Sequence, residues 1–342
     1  MLQATTRMAS RAAIGVAAIM TAFAQNPVLP PPAAPPGDVI GIGRYLHLVA
    51  DLTRSIEFYS NVLGTGLADP GPARGYGPNE MVAKMYNAPG KPVRTATLNI
   101  PGSELAVELV DWKDIERPKL NARMYDPGAA ALILFVRDVD AALRAATMHG
   151  GSILTPAGKP VVTGKSRFVT VRDPDGFFIE LLQFDPPPPS AAKGNILTAR
   201  FRMTVADLEK SARFYREGLG FNVPAPPGKF SDDAVLGAIS GLGVATSRMA
   251  VSVIPGTALP FEMMEYKGTD GKRLHPNPHG IGDSMLRLQV HDIDAVLVKV
   301  KAAGATTVTD GGKPITLSNG RRMIIVEEPN GLLLQIAQAA PR

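Results

Sequence analysis

The sequence of 342 residues contains no cysteine. This absence excludes disulfide bonds, cysteine nucleophiles and metal sites built from thiolates. Aromatic residues are also scarce, at 6% with a single tryptophan. The net charge is only +5 and no long basic run is present, so the charge pattern does not indicate a nucleic-acid partner.

The amino-terminal residues 1–24 have the pattern of a secretory signal. Arg7 and Arg11 supply a positive start, an apolar segment covers 12–23, and the small residues around Ala24 form a cleavage site. The apolar segment is too short to span a bilayer comfortably. An uncleaved anchor or a disordered start are the alternatives. We expect a periplasmic or secreted protein with no membrane span after signal removal.

Proline-rich stretches divide the rest of the chain. Residues 25–40 predict a stiff, extended tether, and residues 186–195 predict a linker. The linker lies shortly before the second copy of the repeat described next. It therefore predicts a first domain at 41–185 and a second domain at 196–339.

A stretch at 51–64 returns at 207–220, each copy opening with Asp-Leu and closing with Leu-Gly. Aspartate is a good helix N-cap and glycine often follows a helix end. Apolar residues between them recur with helical spacing, and a short alternating run precedes each copy. Each copy therefore predicts a strand that leads into an amphipathic helix.

A second kind of unit fills the latter half of each domain. It predicts a strand, a helix and then strands around a turn, which reads Asp-Pro-Asp-Gly at 173–176 and Glu-Pro-Asn-Gly at 328–331. The sequence therefore contains four modules of a strand, a helix and about three strands. Their predicted limits are 41–115, 129–185, 196–268 and 282–339.

The Asp-Leu-x-x-Ser-x-x-Phe-Tyr motif, a later strand with Glu-Leu or Glu-Met, and the sequence Asp-Pro-Asp-Gly-Phe-Phe-Ile-Glu-Leu together resemble the vicinal oxygen chelate superfamily. This superfamily contains glyoxalase I, bleomycin-resistance proteins and extradiol dioxygenases. The resemblance covers roughly residues 42–338. It implies an α+β fold of four βαβββ modules, paired into two half-barrel domains that each surround a cavity.

The resemblance also implies where a metal would bind. Metal-using members place ligands seven residues before the helix aspartate and in the last strand of each module. Carried over, these positions are Arg44, Glu108, Ala131 and Glu180 in the first domain, and Arg200, Glu262, Met285 and Gln335 in the second. None is a histidine, and arginine does not deprotonate in proteins. We therefore assign no metal ligand and no cofactor, while a divalent metal in the first domain stays open.

His47 is a competing ligand candidate on the first strand. Side chains alternate along a strand, so His47 faces away from Arg44, and the repeat aligns His47 with Met203 on an apolar face. The pattern predicts that His47 points toward the core. A β-bulge between Arg44 and His47 would turn it into the cavity instead.

The same alternation predicts which residues line the cavities. Polar candidates for ligand binding are Arg44 in the first domain, and Arg200, Arg202, Glu262, Arg287, Gln289 and Gln335 in the second. The second domain thus collects three arginines against one carboxylate, which favours an anionic small molecule because guanidinium groups bind carboxylate and phosphate oxygens in pairs. The alternative is an internal ion pair of Arg202 or Arg287 with Glu262 and no ligand.

Glu108 and Glu180 are candidates for a catalytic acid–base pair, because crowded carboxylates shift their pKa values apart. Pairing with Arg44 is the alternative. His275 and His279 are four residues apart, but the intervening prolines exclude a helical metal pair and predict a loop.

The sequence thus predicts an exported protein that acts on or binds a small polar or anionic organic molecule, without the usual histidine-containing metal site. A lyase-like or dioxygenase-like enzyme and a non-catalytic binding protein of the bleomycin-resistance type both stay open. A third alternative is a protein whose own side chains fill the cavities. Tandem pairing could complete both cavities in one chain, so either a monomer or a homodimer is compatible with the sequence.

Overall fold

A computed structural model describes residues 39–340, except residues 72, 74, 78 and 79. The predicted signal at 1–24 and the predicted tether up to residue 38 lie outside the described residues. Among the helices that are described, none is both long and apolar enough to cross a membrane.

Each module is a strand followed by a helix and further strands. The first module contains strand β1 (Val39–Leu48), helices α1 (Leu52–Leu63) and α2 (Glu80–Met85), and strands β2 (Val93–Asn99) and β3 (Ala106–Trp112). The second contains β4 (Ala130–Val136), α3 (Val139–Met148), β5 (Ser152–Ile153), β6 (Val161–Thr163), β7 (Ser166–Arg172) and β8 (Phe178–Gln183).

The third and fourth modules repeat this plan. The third contains β9 (Ile196–Val205), α4 (Leu208–Arg213), β10 (Ser231–Asp233), α5 (Ala234–Ile239), β11 (Ala245–Val253) and β12 (Pro260–Lys267). The fourth contains β13 (Ser284–Val290), α6 (Ile293–Ala302), β14 (Thr306–Thr307), β15 (Ile315–Thr316), β16 (Arg322–Glu327) and β17 (Leu333–Gln338). Helix α4 continues as a π-helical turn at Phe214–Gly218.

The strands form two sheets, and the predicted α+β class with paired half-barrel units is confirmed. The first sheet has the order β14-β16-β17-β13-β1-β3-β2, and the second has the order β10-β11-β12-β9-β4-β8-β7-β5. At their centres β1 pairs antiparallel with β13, and β4 pairs antiparallel with β9. The first sheet therefore joins the first and fourth modules, and the second sheet joins the second and third.

This pairing corrects the prediction that each cavity is shared by two modules that follow each other in the chain. Modules that are neighbours in the chain do pack together, but through their helices: α1 packs on α3, and the π-helical turn after α4 packs on α6. Their apolar faces share one core with residues from all four modules, including Tyr45, Phe177, Phe201 and Ile336. The helices thus connect the two sheets, while each sheet is built from modules distant in the chain.

The repeated Asp-Leu corner forms as its capping residue predicts. The Asp51 side chain accepts the amides of Thr53 and Arg54 at 2.9 and 3.2 Å, and Gly64 ends α1 with a φ of 65°. In the second copy the Asp207 side chain accepts the Lys210 amide at 2.9 Å. These caps fix where each first strand ends and therefore which of its side chains face the cavity.

The predicted orientation of His47 is confirmed. Leu46 and Leu48 face the concave side, whereas His47 is fully buried in the core and its Nε2 lies 2.8 Å from Asp173 Oδ2. A register shift in β1 does occur, but it lies between Ile42 and Tyr45. The bulge is therefore upstream of His47 and leaves its side chain on the core face.

The Asp-Pro-Asp-Gly turn of the second module anchors the first module. Asp173 Oδ1 accepts three successive backbone amides, and its Oδ2 accepts the Tyr59 hydroxyl at 3.0 Å. Asp175 accepts the Ala50 amide at 3.2 Å and the Arg54 guanidinium at 2.6 Å. In the second half Asn330 accepts the Ala206 amide at 2.9 Å in the same way. The turn thus holds the strand-to-helix corner in both halves.

Several buried groups in this fold hold protons at higher pH than in an unfolded chain. Burial raises the pKa of Glu180, Asp283 and Glu328 to about 7. Burial alone would lower the pKa of His47, but the Asp173 carboxylate outweighs it and raises the pKa. Between about pH 5 and 7 the folded chain therefore binds more protons than the unfolded chain, and its free energy of unfolding decreases as pH rises.

We predict that the melting temperature is highest near pH 5 and falls by several degrees toward pH 8, as measured by thermal unfolding at constant ionic strength. Glu328→Gln should make this fall smaller, because it removes one of the raised carboxyl groups. A melting temperature that rises from pH 5 to pH 8 would contradict the assignment of these protons.

Candidate functional site

Each sheet carries one polar cluster on its concave face, and the predicted site residues are divided between the two. The first sheet holds Arg44, Glu108, Met285, Arg287, Gln289 and Gln335, and the second holds Ala131, Glu180, Arg200, Arg202 and Glu262. Glu108 and Glu180 thus lie on different sheets, so their prediction as one acid–base pair is wrong. Arg287 likewise does not join Arg200 and Arg202, with which the sequence grouped it. Both corrections follow from the module pairing.

In the first cavity two arginines neutralise one carboxylate. Arg287 donates to both oxygens of Glu108, at 2.9 and 3.3 Å, and its Nε donates to Gln335 Oε1. Arg44 donates to Glu108 Oε2 at 2.7 Å. Burial raises the pKa of Glu108, but Arg287 and Arg44 outweigh it, so the net pKa is lowered. Glu108 is therefore an ionised partner of two arginines. Its pairing with Arg44, which the sequence offered as the alternative to a catalytic role, is present.

Gly43 is needed for this arrangement, although the sequence analysis did not identify it. A Cβ atom at this position would lie 2.7 Å from Arg287 Cδ. The missing side chain lets Arg287 cross strand β1 and reach Glu108. Larger residues here would displace the guanidinium.

In the second cavity one arginine joins two carboxyl groups. Arg202 Nη1 donates to Glu180 Oε1 at 2.6 Å, and Arg202 Nη2 lies 2.8 Å from Glu262 Oε2. Arg200 Nη1 donates to Glu262 Oε1 at 3.2 Å. The predicted alternative of an ion pair between Arg202 and Glu262 is thus present. The cavity is partly open to solvent, and its apolar walls are Phe135, Phe168, Leu182, Val235, Ile239 and Met249.

Glu180 differs from the other acidic residues of the two clusters. Its Oε2 is buried and has no hydrogen-bond partner among the described residues. Burial raises its pKa to about 7, with Arg202 opposing and the Glu262 charge adding to the rise. The pKa of Glu262 is lowered instead, because Arg202 and Arg200 outweigh the effect of burial. The cavity thus separates the pKa values of two carboxyl groups, as sites of proton transfer do.

The two bridging arginines occupy the same position in their modules. Arg202 lies on the first strand of the third module and Arg287 on the first strand of the fourth, each five residues before the aspartate that caps the following helix. In the first and second modules this position holds Leu46 and Ile133. Each arginine places its guanidinium between the last-strand residues of its sheet.

These donor sets do not fit the divalent metal that the resemblance implies. Carboxylate and amide oxygens can bind such an ion, but a guanidinium is permanently charged and donates its hydrogens to the same oxygens. Imidazole, the usual nitrogen ligand, is missing from all the positions carried over. A guanidinium therefore supplies the positive charge in each cavity.

Histidines elsewhere in the described chain do not build a metal site either. His47, Asp173 and Asp175 offer ligand atoms within 4.8 Å of one another, but both carboxylates already accept hydrogen bonds from backbone and side-chain donors. His279 Nε2 lies 2.7 Å from the Tyr86 carbonyl, whereas His275 contacts Arg273. The predicted loop around these two residues is confirmed.

Two short helices that the sequence analysis did not predict close the concave faces. The residues after α2 cover the first cavity, where Gln335 donates to the Tyr86 hydroxyl at 3.2 Å. Helix α5 covers the second, capped by Asp233, whose side chain accepts the Val235 and Leu236 amides at 2.8 Å. An aspartate before an apolar run was the available signal for α5.

Comparisons with known proteins agree with this architecture. A family model described as the Glyoxalase/Bleomycin resistance protein/Dioxygenase superfamily matches residues 41–181 and 198–336. Lactoylglutathione lyase GLX1 of Arabidopsis thaliana is 27% identical over 187 residues, which are 53% of this chain and 56% of that protein. A probable lactoylglutathione lyase of Vibrio parahaemolyticus is 30% identical over 146 residues, which are 41% of this chain and 91% of that protein.

The chain spans about half the length of the plant relatives that it matches. Among solved structures, glyoxalase I from Zea mays superposes with a TM-score of 0.53 at 17% identity, over 87% of this chain and 92% of that one. At this identity the likeness shows the fold alone.

We predict that Arg202→Ala lowers the free energy of unfolding by about 3 kcal/mol, because it leaves Glu180 and Glu262 buried without their shared cation. Mn²⁺ should restore part of this loss, since the two carboxyl groups could then bind the ion. Urea unfolding with and without Mn²⁺ measures both effects. Stoichiometric Mn²⁺ binding by the unaltered chain that disappears in Glu262→Gln would contradict the argument.

Proposed function

Because the chain belongs to the Glyoxalase/Bleomycin resistance protein/Dioxygenase superfamily, we propose that it binds a small organic anion in the second cavity and transfers a proton through Glu180. The observation that carries this proposal is the buried, unpartnered Glu180 Oε2, beside a guanidinium and with a pKa of about 7. Such a carboxyl group gives and takes protons near neutral pH.

The charges of the second cavity support an anionic ligand. Arg200 and Arg202 face Glu262 and Glu180. With Glu180 protonated the cluster carries one net positive charge, and with Glu180 ionised it carries none. A bound anion therefore favours the protonated form of Glu180, which links ligand binding to proton uptake.

The reaction class that fits this arrangement is removal of a proton next to a carbonyl or carboxylate group. Ionised Glu180 takes the proton from carbon, and the electron pair of the C–H bond moves to the carbonyl oxygen. The guanidinium groups of Arg200 and Arg202 stabilise that developing negative charge. Return of the proton to the same carbon is an exchange. Where that carbon also carries a hydroxyl group, return of the proton to the former carbonyl carbon, with the hydroxyl proton passing to the former carbonyl oxygen, completes an isomerisation.

The relatives support a reaction of this kind, because they are named lactoylglutathione lyases. Lactoylglutathione is accordingly one probe for this chain, beside simple 2-oxo acids. The apolar walls of the second cavity support non-catalytic binding of an organic molecule as the second candidate function. We also propose a periplasmic or secreted location, based on the sequence of residues 1–24. A monomer suffices for either function, because each cavity is completed within one chain.

We predict that the chain exchanges the carbon-bound protons of pyruvate with D₂O, as followed by proton NMR, and that Glu180→Gln slows this exchange by about 10²- to 10⁴-fold. The reason is that an amide cannot accept the proton. Lactoylglutathione is the second probe in the same assay.

The matched control is Glu57→Gln, which alters an exposed glutamate on α1 and should leave the exchange rate unchanged. Exchange by Glu180→Gln at the rate of the unaltered chain would refute the assigned proton acceptor. Binding of pyruvate without any exchange would instead favour the non-catalytic function.

A further inference from the structure

The first cavity differs from the second at two equivalent positions. The repeat aligns Gln335 with Glu180, so the first cavity holds an amide where the second holds its titrating carboxyl group. It also aligns Arg321 with Ser166, so the first cavity gains a third arginine. The first cavity therefore lacks the proton acceptor of the second and has more positive charge.

Strand alternation places Arg321 on the concave face. It directly precedes β16, in which Met323 and Ile325 pack on the concave side while Ile324 and Val326 pack in the shared core. Arg321 has the parity of the concave pair. The next residue, Arg322, points to the other side and pairs with Asp294 at 2.6 Å.

Arg321 has no hydrogen bond or ion pair from its guanidinium to any other residue in the described part of the chain. Burial, followed by repulsion from Arg287 and Arg44, lowers its pKa. Arg44 and Arg287 lie on the same concave face and already share the carboxylate of Glu108. A half-buried cation on one face with two others that share a single carboxylate is an arrangement that an anion stabilises.

The count of charges gives the class of ligand. Arg44, Arg287 and Arg321 face the single carboxylate of Glu108, which leaves two net positive charges. Tyr86 adds no negative charge, because burial raises the pKa of its hydroxyl. The Arg44 side chain is 42% exposed, so the cluster can be reached from solvent.

We propose that the first cavity is a binding site for a small organic dianion, a phosphate ester or a dicarboxylate, held by Arg321, Arg44 and Arg287. The two negative charges of the ligand balance the excess of the cluster, and its oxygens accept the hydrogens that Arg321 donates to no described residue. This site is independent of proton transfer at Glu180.

Isothermal titration calorimetry on the full chain at low salt tests this site, because salt screens such contacts. The probes are inorganic phosphate and malonate, which distinguish the two sources of the dianion, with acetate as the singly charged reference. We expect at least one dianion to bind more tightly than acetate, and Arg321→Gln to weaken that binding by about tenfold or more.

Arg322→Gln is the matched control, because it alters the neighbouring arginine on the opposite face and should leave the affinity unchanged. Equal affinity in Arg321→Gln, or no binding of either dianion at millimolar concentration, would overturn the proposal. Neither result depends on exchange activity at Glu180, so the two proposals fail separately.

Discussion

The interaction on which the site depends is the buried contact of Arg202 with Glu180 and Glu262. A guanidinium in this position needs acceptors for its hydrogens, and two buried carboxyl groups need a cation. Arg202 meets both needs with one oxygen from each group, at 2.6 and 2.8 Å. The remaining oxygen of Glu180 is left without a partner. One arrangement of side chains therefore stabilises the concave face of the second sheet and also leaves a proton acceptor that titrates near neutral pH.

The pairing of modules makes this contact possible. Glu180 comes from the second module, whereas Arg202 and Glu262 come from the third, and β4 and β9 bring their strands together at the centre of one sheet. The first sheet does the same for Glu108 and Arg287 from the first and fourth modules. Helix packing between chain neighbours then holds the two sheets around a single core.

Much of the fold could be predicted because the repeat and the period of two are properties of the sequence itself. They predict which side chains of β1 face the cavity and that His47 points into the core. The pairing of strands between modules could not be predicted, because alternation shows which face a side chain occupies but not which strand lies beside it. For this reason the sequence did not predict that Glu108 and Glu180 lie on different sheets. The path of Arg287 past Gly43 depends on a backbone approach that only the structure shows.

The titration of Glu180 is the most direct test of its assignment as a proton acceptor near neutral pH. Carbon-13 NMR of the side-chain carboxyl groups, with the Glu180 signal assigned by its loss in Glu180→Gln, measures its pKa in the unliganded chain. We predict a midpoint at about 7, which rises when an anion occupies the cavity. A midpoint near the ordinary glutamate value of about 4.3 would contradict it, because Glu180 would then be a fully ionised partner of Arg202.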